Sequence, residues 1–179
     1  SNRLAAYLYS RGLGCHTERS ELPGHEVGQD LLGIYAHNGP EYLEGMLGAW
    51  RARVAPFNVN YRYVKSELQY LLSDSGASAL LYHAAFAPRL AEVLPELPAL
   101  EVLIQIADDS GNELLPGAGD YESIMAGGAA AVPPVEPSPD ALYVPSPGGT
   151  TGMPHVLLCR SHRLLLSSHR CLTLCSVEL

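Results

Sequence analysis

The run Pro147-Gly148-Gly149-Thr150-Thr151-Gly152-Met153-Pro154-His155 holds the residue types of this chain best suited to chemistry. Gly148 to Gly152 place three glycines and two hydroxyls in five consecutive positions. Glycine lets the backbone turn its N–H groups toward an anion, and threonine hydroxyls add donors, so this composition suits a loop that wraps a phosphate. The general nucleotide loop sets a lysine and a metal-binding hydroxyl directly after its last glycine. Here Met153-Pro154 follow Gly152, so that pattern fails, and no G-x-G-x-x-G is present. The residue nearest to filling the lysine's role is His155. A histidine is shorter and, with an ordinary pKa of about 6.5, mostly neutral at pH 7. A bound phosphate favours its protonation.

Other polar constellations carry less. His155, Cys159 and His162 recur at i, i+4 and i+7, with His169, Cys171 and Cys175 beyond them. That spacing matches no zinc motif, and free cysteines commonly serve as small buried hydrophobes, so no metal ligands are assigned. His37 directly precedes Asn38-Gly39-Pro40 and reads as part of a helix-start turn. Tyr61-Arg62-Tyr63 reads as a packed turn after a strand, and Trp50 as core. No catalytic residue can be assigned.

The chain must supply elements to hold that loop. Its 179 residues are enough to bury a core, and 47% hydrophobic against 17% charged residues excludes global disorder. A formal charge of −8 argues against nucleic acid as the main partner. Four cysteines, three of them in the last 21 residues, make no disulfide framework and fit a reducing cytosol. Arg3 and Tyr7 interrupt the first apolar stretch, and no run of 18 apolar residues occurs, so neither a signal peptide nor an integral membrane span is expected. The arginines around Leu164-Leu165-Leu166 leave a peripheral membrane helix open, beside the plainer reading of a partly buried helix.

Along the chain, Leu4, Ala5 and Leu8 predict a helix, and residues 31–35 a short buried strand. Asn38-Gly39-Pro40-Glu41 predicts a helix start, with Leu43, Met46, Leu47, Trp50 and Val54 as its apolar face. A strand around 54–59 follows, then a helix introduced by Ser66-Glu67-Leu68-Gln69 and ended near Gly76. Residues 78–82 and 101–106 predict strands on either side of a helix over 86–97. This alternation predicts an α/β fold, a mostly parallel sheet with flanking helices. Residues 1–131 form its α/β portion, and 132–139 a proline-rich linker. Residues 140–179 add a strand at 140–144, the glycine loop and an atypical helical tail of the same domain. Two stretches stand apart in composition. Residues 15–27 lack periodicity, and residues 155–179 contain no glycine or alanine. Both are expected to fall outside the pattern of the rest.

Gly148-Gly149-Thr150-Thr151-Gly152-Met153-Pro154, preceded by Ser138-Pro139-Asp140-Ala141-Leu142-Tyr143, resembles the signature loop of the AMP-binding, adenylate-forming superfamily. Upstream, Tyr35-Ala36-His37-Asn38-Gly39-Pro40-Glu41-Tyr42-Leu43-Glu44 and Pro56-Phe57-Asn58-Val59-Asn60-Tyr61-Arg62-Tyr63 resemble the fatty-acyl-CoA synthetase branch in its actinobacterial form. The likeness covers about residues 1–14 and 28–154, and weakly 156–162. It implies an N-terminal fragment of an acid-thiol ligase, part of that enzyme's large N-terminal domain. Such a ligase activates a fatty acid with ATP and Mg²⁺ through acyl-AMP and passes the acyl group to CoA. By resemblance Gly148, Gly149, Thr150, Thr151 and Gly152 hold the β- and γ-phosphates, and His155 stands at the family's lysine position. The chain departs from the family at Pro147, where the loop has Thr or Ser, at Ser146 for Tyr, and at Val156 for Gly. The alternative reading is a catalytically inactive remnant or interaction module with the same fold. Another adenylate-former, such as a peptide-synthetase adenylation domain, is a further rival. Acyl chain length and oligomeric state are not legible.

Overall fold

The computed structural model describes residues 1–23, 26–127, 142–143 and 159–160. Within them the chain runs α1 (Asn2–Ser10), β1 (Leu31–Tyr35), α2 (Pro40–Arg51), β2 (Ala55–Asn58), α3 (Lys65–Ser75) and β3 (Ala79–His83). It continues through α4 (Ala87–Val93), β4 (Val102–Ile106), β5 (Gly119–Asp120), α5 (Tyr121–Ala126), β6 (Leu142–Tyr143) and β7 (Cys159–Arg160). The first five strands form one parallel sheet in the order β2-β1-β3-β4-β5.

Alternation along the strands divides the core in two. Leu32, Ile34, Ala79, Leu81, Val102 and Ile104 face one side, where Leu4, Ala5 and Leu8 of α1, Ala49 of α2 and Tyr121 of α5 close over them. Tyr35, Phe57, Leu80, Tyr82 and Leu103 face the other, under Leu68, Leu71 and Leu72 of α3 and Leu90 and Val93 of α4. Both faces of the sheet are therefore buried, which is why its strands are apolar runs rather than alternating ones. This is the α/β architecture that the strand–helix alternation predicts.

Local details shift by a residue or two. The cap of α2 is Gly39 rather than Asn38, and Pro40 takes the first turn. Helix α3 starts after Val64, and Glu67 reaches back to accept the Val64 N–H at 3.0 Å, so Ser66 is not its cap. Gly76 ends α3 in the left-handed conformation at φ 63°, the position glycine fills at least cost. The helix expected over 86–97 is shorter, because Pro95 permits only a 3₁₀ turn at Leu94–Glu96. Strand β5 and helix α5 have no counterpart in the sequence reading. Their signals are short: α5 has six residues, capped by the Asp120 carboxylate accepting from the Ser123 N–H at 2.8 Å.

The larger correction concerns α2. Its buried residues are Gly45, Gly48 and Ala49, whereas Leu43 is 61% and Leu47 47% exposed. The small residues let the helix lie close against the sheet and α1, where a leucine would not fit. A Cβ added at Gly48 would come within 3.0 Å of the Leu4 side chain. Trp50 is half-buried rather than core.

Residues 15–23 and 26–27, expected to stand apart, are tied into the fold. Cys15 bridges Gln29 in antiparallel fashion. The His16 and Thr17 N–H groups donate to the Gly28 carbonyl at 2.8 and 3.2 Å. The Arg53 guanidinium grips both Glu18 carboxylate oxygens at 2.5 and 2.8 Å. Tertiary hydrogen bonds hold this segment without the apolar periodicity that a helix or strand would show.

Candidate functional site

Open parallel sheets bind ligands outside the carboxyl ends of their strands, where neighbouring strands send their connections to opposite faces. Here β1 leads into α2 on one face, and its neighbour β3 leads into α4 on the other. At those ends a cluster of rings packs together. The His37 ring packs against Tyr61 at 4.9 Å, Phe86 at 5.0 Å and His83 at 5.5 Å, and Phe86 stacks on Tyr35 at 4.4 Å. The Arg62 guanidinium lies 5.6 Å from the centre of the Tyr61 ring.

The supports of this cluster are polar. Arg89 of α4 donates to the Tyr35 hydroxyl at 3.1 Å and to the carbonyls of Tyr63 at 2.8 Å and Tyr61 at 3.4 Å. It thereby pins the turn after β2 to the end of β1. Burial raises the Tyr35 phenol above its ordinary pKa, with Arg89 opposing. The Asp108 carboxylate accepts the N–H of Ala85 at 2.8 Å and of Ser110 at 2.9 Å. Burial pushes Asp108 up, but these bonds outweigh it and leave its pKa lowered. His83 moves the other way from an ordinary histidine's charged form: burial first, then His37, hold its pKa down. The cluster thus gathers π surfaces, a cation and an imidazole at the carboxyl ends of β1 and β3. His37 and Tyr61-Arg62-Tyr63 are, as read, turn residues: the Arg62 N–H donates to the Asn60 side chain, and Tyr63 is buried. Sequence spacing could not show that the two turns meet.

The glycine loop is a separate matter. Gly148, Gly149, Thr150, Thr151, Gly152 and His155 lie outside the described residues, as does the linker at 132–139. The strands that flank the loop are described. Leu142 of β6 pairs with Arg160 of β7, and Tyr143 with Cys159, antiparallel. Residues 159–160 are therefore strand and not part of a helix, and residues 144–158 connect two paired strands. The Leu142 N–H donates to Gln29 and its carbonyl accepts from Trp50, both at 3.1 Å. Gln29 precedes β1 and Trp50 precedes β2, so β6 sits toward the amino ends of those strands, away from the aromatic cluster. Among the described residues no group of three or more His, Cys, Asp or Glu could hold a metal ion.

Comparison with known proteins defines the class. The profile of the family described as "AMP-binding enzyme" matches residues 1–172. The chain belongs to this AMP-binding enzyme family, as its glycine loop and upstream motifs led us to expect. Within the family it is 69% identical over 168 residues to the medium-chain acyl-CoA ligase Mig of Mycobacterium avium, covering 94% of this chain and 30% of that protein. It is 32% identical over 161 residues to a 3-oxocholest-4-en-26-oate–CoA ligase of Rhodococcus rhodochrous, covering 89% of this chain and 27% of that one. The crystal structure of the anthranilate CoA ligase AuaEII with anthranoyl-AMP shares the fold, with a TM-score of 0.76 at 17% identity over 94% of this chain and 29% of that chain. The chain thus spans under a third of the length of these relatives. The family match also runs through residues 15–27 and on to 172. Residues 173–179 lie beyond that match.

Proposed function

We propose that this chain carries the phosphate-loop portion of an acyl-CoA ligase for medium-chain fatty acids. The observation that carries the reading is the 69% identity to the Mycobacterium avium ligase across nearly the whole chain. In the reaction a fatty-acid carboxylate attacks the α-phosphate of ATP, giving acyl-AMP and releasing pyrophosphate. The CoA thiolate then attacks the acyl carbonyl and AMP leaves. Bringing a carboxylate to a triphosphate sets anion against anion, so preorganised donors must offset the charge. Gly148, Gly149, Thr150, Thr151 and Gly152 fit that role on the β- and γ-phosphates, with His155 as the neighbouring donor. The described residues supply no carboxylate cluster for Mg²⁺. Among those residues no helix is long and apolar enough to cross a membrane. A cytoplasmic enzyme, working in solution or against a membrane surface, fits this reading.

The second reading, an inactive remnant with the same fold, is favoured by Pro147, His155 and Val156, which depart from the family loop. A chimera separates the two. This chain replaces the matching segment of the Mycobacterium avium ligase, and fatty-acid-dependent ATP–pyrophosphate exchange is measured. Exchange with a medium-chain acid supports the ligase reading. A folded chimera that exchanges only after His155→Lys supports the remnant. The 179-residue chain alone is expected to show no exchange above a boiled control.

A further inference from the structure

His83 closes β3, and His37 follows β1, the adjacent strand, within the aromatic cluster. The His37 backbone N–H donates to His83 Nδ1 at 3.0 Å. An imidazole nitrogen that accepts carries no proton, so this bond places the ring's single proton on Nε2 and requires the neutral ring. We propose that His83 is a pH-responsive latch on the turn that starts α2: the neutral ring holds the His37 amide, and proton uptake at Nδ1 releases it.

The reason is local. A proton on Nδ1 would set one N–H against another, and the bond cannot survive it. The groups facing His83 come from four segments. The His37 ring, 5.5 Å away on the turn before α2, disfavours the charged ring. Glu41 in the first turn of α2 and Asp108 in the loop after β4 favour it. Phe86, edge-on at 6.4 Å in the 3₁₀ turn after β3, is apolar. Burial and His37 prevail over the two carboxylates, so the folded ring takes its proton below the ordinary histidine value of 6.5. Once charged, the ring has Asp108 and Glu41 to turn toward, which provides a second arrangement instead of a mere loss. The His37 ring also packs on Tyr61 and Phe86, so release of its backbone passes to the turn that carries Tyr61. The ring cluster is therefore organised at neutral pH and loosened in mild acid. This inference does not depend on the proposed reaction.

The sign follows from linkage. A histidine held down in the folded state contributes stability that is fully present above 6.5 and is lost as pH falls through its lowered folded value. The experiment is an NMR titration of the full 179-residue chain from pH 7.5 downward. The His37 amide signal should move with the same midpoint as the His83 ring, below 6.5, and its protection from hydrogen exchange, corrected for intrinsic rate, should fall about fivefold or more. In His83→Asn the side-chain oxygen takes the place of Nδ1 and accepts at every pH, so the His37 amide shift should flatten. Asp108→Asn should lower the midpoint further. A His37 amide that stays protected while the His83 ring titrates overturns the latch. So does an unchanged His37 titration in a folded His83→Asn, which would assign it to the His37 ring itself. Should His83→Asn fail to fold, the wild-type comparison of amide and ring midpoints decides alone.

Discussion

The indole N–H of Trp50 donates to the backbone carbonyl of Leu142 at 3.1 Å, across 92 residues of sequence. The Leu142 N–H is held in turn by Gln29 Oε1, whose amide group donates to the Arg53 carbonyl at 2.8 Å. One tryptophan and one glutamine thus fix the strand from which the glycine loop departs. Trp50→Phe keeps the ring and removes the donor, and is expected to cost about 0.5–1.5 kcal/mol. Gln29→Leu leaves a buried N–H and a carbonyl without partners, and is expected to cost more, about 1–3 kcal/mol. Urea unfolding followed by circular dichroism measures both. Equal costs would mean that the Gln29 bonds are not the stronger tether.

How far the sequence speaks is clearest in α2. Its existence, and the parallel sheet around it, follow from Pro40, the helical spacing of the apolar residues and the strand–helix alternation. Its orientation does not. Periodicity selects Leu43 and Leu47 as the buried face, yet they are exposed and the glycines are buried. A hydrophobic scale rewards area, whereas a close helix contact rewards its absence, and only the partner, here Leu4 of α1, reveals which applies. The meeting of His37, Tyr61 and His83 was hidden for the same reason: two lie in different turns and the third ends β3, and only the strand order brings them together. The glycine loop carried the family resemblance, because a run of glycines and threonines is a signal that composition records directly.

The same contrast gives an opposed pair of mutations. Gly48→Ala adds a methyl within 3.0 Å of Leu4 Cβ and Cγ, with no open space to receive it. The gain in helix propensity, about 1 kcal/mol, is expected to be outweighed by about 1–3 kcal/mol of overpacking. Leu43→Lys is expected to change stability by no more than about 0.5 kcal/mol, as for an exposed site. Thermal unfolding of both variants checks the orientation of α2. A destabilising Leu43→Lys beside a neutral Gly48→Ala would reverse it.

Helix α5 offers a pH test. Hydrogen bonds from Ser123, side chain first and then backbone, hold the Asp120 carboxyl below its ordinary value of 3.8. The carboxylate therefore contributes stability that is present above 3.8 and lost as pH falls through the lowered folded value. Asp120→Ala removes the cap and is expected to cost about 1 kcal/mol at neutral pH. Asp120→Asn keeps a capping oxygen and should preserve most of that stability while removing this group's share of the acid slope. Denaturation midpoints between pH 6 and 3 would show the difference.

Trp50 can report on the loop. It is the only tryptophan of the chain, and it touches the strand that leads into the glycine loop within a few residues. A nucleotide bound at that loop pulls on β6 and so on the indole, changing its emission. Titration with ATP should give a weak response in the natural sequence, because a neutral histidine at position 155 makes no full-charge contact with a phosphate at pH 7. His155→Lys restores a permanent ammonium and is expected to tighten binding about tenfold, the effect of one charge-assisted bond. Lowering the pH to 6 should narrow the gap between the two proteins, because His155 then gains charge and the lysine does not change. Two titration curves that coincide at pH 7 and at pH 6 would remove position 155 from the phosphate site, and with it the assignment of this loop's final donor.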